Sequence, residues 1–531
     1  MGNEAGDADS LVSSLCYAYR ASERDRRAQQ VHGSSAPAAF AHIPVLSVPR
    51  GDLALRPETV ALLGLAGLGH IAADDSSPLL YFSDTAPAPP DSDVGVGAGA
   101  GAATAATAAA TAAATAAAVE SAPPTVLAAL GRAPGSRLTL LDHNALAPKL
   151  ASLPGLAAAV VEIVDHHQDQ GLYPAVAGAR RVVAYSTGDT GDTGGGGDAK
   201  PGALVGSTCT LVAEALLADE ADIWDAALGL AAGGGDGGAD ACGSTGASCS
   251  AGGSAGASSG GGASQLHAAG AEALLLDETV STLLAGVIML DTLDMDPSAA
   301  KGTPRDAAAL AALLPRARLP RGALYEALVG AKFDAAWWGS LSAAQCLRYD
   351  YKEGFATAAT PSGGGGGGGG SGGGVAGVAY GMASVLLPVA DLTALPDFTT
   401  SAKAFIADRG LACLAVMALV AGAGGSGGGG MRRELLLVAQ SATALAAAEA
   451  AFAGGTGKAL GLRRVQLAAK ADLAVAAKGG SGAGAGAIPG GARGGVVAAA
   501  FAQGELGMSR KQAMPLFHAA MEAVATADAR H

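Results

Sequence analysis

Residues 160–167 read VVEIVDHH, and the fold turns on them. A short apolar run rich in β-branched side chains reads as a strand buried on both faces, the kind that parallel sheets use. It stops abruptly at Asp165, His166 and His167. RLTLLDHN (137–144) has the same shape and ends at Asp142, and RRVVAYST (180–187) is a third strand. IPVLSVP (43–49) and SPLLYFSD (77–84) precede them. Helical stretches alternate with these strands. Residues 8–31 carry apolar positions at helical spacing, PETVALLGLAGL (57–68) has Pro in its first turn, and LVGSTCTLVAEALLA (204–218) is a loop opening a helix. Residues 278–296 read as a helix running into a strand or strand-like turn. This alternation predicts a parallel α/β domain, whose functional groups collect at the carboxyl ends of the strands. The DHN, DHH and DT clusters (Asp291 opening the last) each end an apolar run.

The polar clusters have a common chemistry. GNEAGDADS (2–10) holds Asn3, Asp7 and Asp9 before a helix. Two carboxylates at that spacing point to one cation from a turn, or else cap the helix. Asp142, the Asp165-His166-His167 triplet and Asp291 follow in order, with Asp294 and Asp296 after Asp291. Each taken singly is equally a satisfied hydrogen-bonding pair or an acidic turn. Hard divalent cations take oxygen ligands, and Mn²⁺ also accepts imidazole. Two such cations activate water and neutralise a phosphate.

The rest of the chain sets bounds. Of its 531 residues 81 are Gly, and many of these stand in runs that cannot pack a core. What remains fits two domains of ordinary size. The first spans 1–310, with low-complexity inserts at about 85–124, 188–201 and 232–264. The second spans 318–531, with inserts at about 359–375, 421–430 and 478–495. Inserts of this composition are expected to be disordered loops. The net charge of −14 argues against an extended nucleic-acid surface but leaves a local phosphate site open. Six scattered Cys without CxxC pairing point to reduced thiols and a cytoplasmic location. No apolar run long enough for a membrane span and no signal peptide are read. Near the end, SRKQAMPL (509–516) places a basic triplet before a helix, with Ser509 at its start.

These motifs together resemble the DHH-superfamily phosphoesterases. The resemblance is strongest to eukaryotic exopolyphosphatases of Prune type, relatives of the manganese-dependent family II inorganic pyrophosphatases. It rests on GNEAGDADS, IPVLSVPRGDL (43–53), LLDHN, VDHH, LVGSTCTLV, GVIMLDTLDMD with KGTPRD (286–306), LYEALVGAKFD (324–334), LRYDYK (347–352) and SRKQAMPL, in that order. It implies an N-terminal parallel-sheet DHH domain and a smaller C-terminal α/β DHH-associated domain, with the active site in the cleft between them. It implies two Mn²⁺ or Mg²⁺ held by Asp7, Asp9, Asp142, His166 and Asp291, with Asp142 and Asp291 as bridging candidates. His167 is then the general acid and Asp165 orients its neighbours. Arg510, Lys511, Ser509 and Lys352 meet the substrate phosphates, with Asn3 as a further contact; Arg50 is either another such contact or a surface Arg.

The implied activity is release of orthophosphate from short inorganic polyphosphate. Pyrophosphate and cyclic nucleotides are alternative substrates, and a catalytically weak interaction scaffold is the alternative to an enzyme. Asn3 stands where the pyrophosphatases of the family carry His, which lowers the weight on pyrophosphate. Met1 directly precedes GNE, where the family has an apolar strand, which suggests a truncated fragment or a start at the wrong Met; if the strand is missing, a central sheet position is empty.

Overall fold

A computed structural model of the chain describes residues 1–32, 40–72, 80–81, 125–187, 202–227, 275–357, 377–420, 431–453, 460–467, 473–475, 496–505, 508 and 510–528. The expected inserts lie outside these residues.

The fold is mixed α/β. Helix α1 (Ala8–His32) is followed by β1 (Val45–Leu46), α2 (Pro57–Leu65, with Pro57 in its first turn) and β2 (Leu80–Tyr81). Then come β3 (Leu138–Leu141), β4 (Val160–Asp165), β5 (Arg181–Val183) and a two-residue pair, β6 (Tyr185–Ser186) with β7 (Gly202–Ala203). Both β1–β2 and β3–β4–β5 are parallel, as the buried apolar runs predict. Met1 and Gly2 join the two pieces. The Met1 amino group donates to the Thr139 carbonyl at 2.8 Å, Leu141 N–H donates to Met1 O at 2.9 Å, and Gly2 N–H donates to Val45 O at 3.3 Å. Met1 and Gly2 themselves belong to neither sheet.

Alternating side chains of β3 and β4 serve two cores. Leu141 and Val164 join a core built from α1, α2, α3 (Thr208–Ala227), α4 (Glu278–Thr292), α5 (Pro304–Leu313) and α6 (Arg321–Lys332). Leu140 and Ile163 pack on the other face with Leu127, Leu156 and Val176. Helix α6 places Leu324 and Leu328 in the first core, so that core runs past residue 318, where the sequence reading starts the second domain. The stretch 278–296 departs from expectation. It is helical to Thr292, and Leu293, Asp294 and Met295 then turn with positive φ, so no strand follows.

The C-terminal half is built on a seven-stranded sheet. Its main path is β12 (Leu462–Val465), β14 (Val496–Gln503), β11 (Arg432–Ala439), β10 (Leu411–Val420), β9 (Gly377–Val385) and β8 (Asp350–Thr357), with β13 (Leu473–Val475) on β14. Only β9–β10 and β13–β14 pair in parallel among these strands. On β10, Leu414, Val416 and Ala418 face α7 (Ala343–Arg348) and α8 (Phe398–Arg409). Cys413, Ala415 and Met417 face α9 (Ala442–Ala453) and α10 (Arg510–Asp528). Cys16, Cys209, Cys346 and Cys413 are free, buried thiols. No helix among the described residues is long and apolar enough to cross a membrane.

Candidate metal centre

Asp142 follows the last residue of β3 and is the hub of the site. Its φ is +64°, a left-handed conformation that Asp tolerates better than most residues. The turn aims its carboxylate back over the strand ends. Oδ2 accepts from Asn3 Nδ2 at 2.6 Å and Ser10 Oγ at 2.8 Å, and Oδ1 accepts from Thr208 Oγ1 at 3.2 Å. Oδ1 also lies 3.4 Å from His166 Nε2 and 3.6 Å from His167 Nδ1. Burial pushes the Asp142 carboxyl up, but the two imidazoles outweigh it and hold it well below the usual range.

The two histidines are oriented differently. His166 Nδ1 faces the Val205 carbonyl at 3.2 Å. A carbonyl only accepts, so Nδ1 donates to it, and Nε2 is directed toward Asp142 and Asp9, the latter at 3.8 Å. A ring nitrogen placed between two carboxylates is well set to share a cation with them. His167 Nδ1 lies 2.8 Å from Asp165 Oδ1, so its Nδ1 donates as well. Asp165 is fully buried, and Oδ1 also accepts from His166 N–H at 2.8 Å. Its Oδ2 accepts from Asn144 Nδ2 at 2.6 Å. Burial raises its carboxyl, yet His167 lowers it further, to about 2.

Asp9 comes from the first turn of α1. Its carboxylate accepts from Ser207 Oγ at 2.7 Å, Thr208 N–H at 2.8 Å and Cys209 N–H at 2.9 Å, so it caps the start of α3. Asp7 Oδ1 accepts from Ser10 N–H at 3.0 Å and caps α1. The capping reading thus holds for Asp7 at α1, whereas Asp9 caps α3. Burial, and after it the charges of Asp142, Asp291 and Asp7, push Asp9 well above the normal range. Asp7 is raised by burial, then by Asp142 and Asp350. Crowding of this kind is the condition under which bound cations stabilise a site.

Asp142, His166 and His167 each offer a ligand atom within 4.8 Å of the others. This donor set of one carboxylate and two imidazoles suits a divalent cation such as Mn²⁺. The site is a candidate metal centre.

The remaining expected residues are distributed around it. Asp291 lies in the last turn of α4, a helix end and not the strand end that the sequence suggested, within electrostatic reach of Asp9. Asn3 gives its amide to Asp142 and accepts Ala5 N–H at 2.9 Å, so it shapes the loop. Lys352, on β8, is close enough to act on Asp7 and Asp142. Arg510 opens α10 and pairs with Asp350 Oδ1 at 2.6 Å. Arg50 lies over the Tyr81 ring, 4.5 Å from its centroid. Ser509 and the Lys511 side chain fall outside the described residues. His143 turns away from the cluster, with Nδ1 donating to Leu141 O at 2.9 Å and burial lowering its pKa to about 4.

No family model and no curated protein matches the chain. Among solved structures it is similar to a Methanococcus jannaschii protein described as a candidate family II inorganic pyrophosphatase, with 14% identity, 98% of each chain covered and a TM-score of 0.41. At that identity and score the likeness leaves family and activity unassigned.

The sequence reading missed several positioning residues. Asn144 holds both Asp165 and, through its Oδ1, the Gln170 N–H at 3.0 Å. Asp306 accepts from Gly206 N–H at 3.0 and 2.8 Å and from Thr210 Oγ1, fixing the loop that presents Ser207 and Thr208. Gly206 is required there, since a Cβ would meet Thr292 Cγ2 at 2.6 Å. The capping box of α5, Thr303 with Asp306, lies in the quoted KGTPRD and was a signal that could have found Asp306.

Proposed function

We propose that the chain is a divalent-metal phosphoesterase that cleaves phosphoanhydride bonds, releasing orthophosphate from the ends of short inorganic polyphosphate. The observation that carries this reading is the convergence of Asp142, His166 and His167. Asp142 and His166 would hold a cation together with Asp9, and Asp7 and Asp291 would serve a second. When bound, such cations lower the pKa of water and neutralise phosphate charge.

The chain's own groups supply the rest. Asp165 accepts a hydrogen bond from His167 Nδ1, which leaves Nε2 as the atom that carries and delivers a proton to a leaving phosphate oxygen. His167 is the more exposed of the pair, 23% against 2% for His166, and so is the one a substrate reaches. Lys352 and Arg510 bring positive charge from the C-terminal half. Arg510 is suited to bidentate phosphate contact and Lys352 to a point-charge contact.

Orthophosphate release with Mn²⁺ or Mg²⁺ from tripolyphosphate, pyrophosphate and a cyclic nucleotide tests the reading, with His167→Ala alongside. Fast release from tripolyphosphate, cut at least about 100-fold in the variant, is expected for loss of a general acid. Absence of release from all three by folded, metal-loaded protein would refute the proposal and favour a binding role.

A further inference from the structure

Two separate sets of contacts fix where Arg510, the first residue of α10, stands. Asp350, the first residue of β8, accepts twice from Arg510 Nη1, through Oδ1 at 2.6 Å and through its backbone carbonyl at 2.8 Å. Both side chains are largely covered, 14% and 22% exposed. Burial pushes the Asp350 carboxyl up, but Arg510, Lys352 and Arg56 outweigh it and hold it below the usual range, so the pair is charge-assisted. Gln503, at the end of β14, secures the approach to the helix. It is 6% exposed, and its Nε2 donates to the carbonyls of Glu505 at 2.7 Å and Met508 at 2.6 Å.

What this pair leaves over is specific. A guanidinium carries five N–H donors, and its Nε–Nη2 edge can grip two oxygens side by side. Elsewhere in the chain that edge is spent on a carboxylate. Arg20 gives Nε and Nη2 to Asp219 at 2.7 and 3.0 Å, and Arg305 gives them to Glu214 at 2.8 and 2.5 Å. Arg510 meets Asp350 through Nη1 alone, and its Nε and Nη2 make no hydrogen bond to the described residues. The start of β8 is in turn fixed against the loop beside the candidate ligands. Arg56 Nη2 donates both to Arg348 O at 3.2 Å and to Ala5 O at 2.5 Å, and Glu353 N–H donates to Glu4 Oε1 at 2.9 Å. Asn3, in the same loop, donates to Asp142 at 2.6 Å. Hydrogen bonds and short stretches of backbone thus link Arg510, through Asp350 and β8, to the surroundings of Asp142.

We infer that Asp350 is a positioning residue, anchoring Arg510 by Nη1 so that the Nε–Nη2 edge is kept for a phosphate of the substrate. The inference rests on the proposed phosphoanhydride reading, in which Arg510 is a phosphate contact. Asp350 acts only through Arg510. Without that guanidinium it is simply a negative charge near a phosphate site, which lowers affinity for the anion. Its effect on binding must therefore vanish or change sign once Arg510 is gone.

The test uses the full chain with D350A, R510A and the double variant. Binding of methylenediphosphonate, whose P–C–P bridge is not hydrolysed, is titrated at saturating Mn²⁺. KM and kcat for tripolyphosphate and thermal stability are measured beside it. Loss of one well-placed charge-assisted contact predicts that the methylenediphosphonate Kd and KM rise about 10-fold in D350A, with kcat changed less. R510A should raise both at least as much. In the R510A background D350A should add no further loss, or restore some affinity. Unaltered Kd in folded D350A or folded R510A would overturn the inference. So would a D350A loss of equal size with and without Arg510, which marks a merely structural role, and so would the absence of methylenediphosphonate binding by the wild type. If one of these variants does not fold, D350N and R510Q decide in the same cycle. Failure of the wild type to hydrolyse tripolyphosphate, with methylenediphosphonate still bound, would refute the reaction reading alone, and the titration cycle would still decide on Asp350.

Discussion

Glu4 sits where the two halves of the chain meet, its Oε1 accepting Glu353 N–H at 2.9 Å. Burial is the main reason its pKa rises from 4.5 to about 7, against the lowering pull of that hydrogen bond, Lys352 and Arg510. Between those values the folded protein keeps a proton that the unfolded chain has released. The contribution of Glu4 to stability is therefore fully present below pH 4.5 and is lost as pH rises through about 7. Glu4→Gln, which cannot ionise, should gain on the wild type across that window and show no further gain above it. Urea midpoints at several pH values check this, and two parallel curves would contradict it. Asp142 illustrates a different residue-scale constraint. Its left-handed turn gives one carboxylate access to Asn3, Ser10, Thr208 and both histidines at once.

Among elements, the loop before α3 depends on a side chain from α5. Asp306 is fully buried and takes hydrogen bonds from Gly206, Thr210 and Thr303. Asp306→Ala strands those donors and frees Ser207 and Thr208, which hold Asp9. A loss of about 3 kcal/mol in chemical denaturation is expected, together with weaker Mn²⁺ binding. Unaltered metal affinity in the folded variant would show that the loop does not depend on this anchor. The same element explains what the sequence could reveal. Strands β3 and β4 were legible because apolar runs end sharply at Asp142 and Asp165, and sheet geometry brings those ends together. The end of α4 was not. From Val280 to Leu290 every residue is buried, so the polar face that marks a helix is missing and the run into Asp291 resembles a strand. Asn144 was illegible for another reason. It is a single polar residue whose role comes from partners distant in the chain, Asp165 and Gln170.

At the scale of the whole molecule, the proposed function requires a chain of net charge −14 to gather its cations locally. Lys352 and Arg510 belong to the C-terminal half, while the candidate ligands belong to the N-terminal half, so the junction between halves sets the geometry. Arg56 is central to that junction. It is 1% exposed, and its guanidinium donates to Ala5 O in the first loop and to Arg348 O at 3.2 Å. It also lies 5.2 Å from the Tyr349 ring centroid. One side chain thus fixes residues 348–350, and with them the start of β8, against the loop carrying Asn3 and Asp7. Arg56→Met keeps much of the bulk but leaves two carbonyls without these donors. A stability loss of about 2–4 kcal/mol follows from the unsatisfied acceptors. The functional effect should be selective. The candidate cation ligands all lie on one side of the junction, so Mn²⁺ affinity should change little, whereas KM for tripolyphosphate should rise as Lys352 and Arg510 lose register. Denaturation midpoints, Mn²⁺ titration and KM on the same variant separate these effects. A fall in metal affinity as large as the rise in KM would mean that Arg56 acts on the first loop alone and does not set how the halves meet.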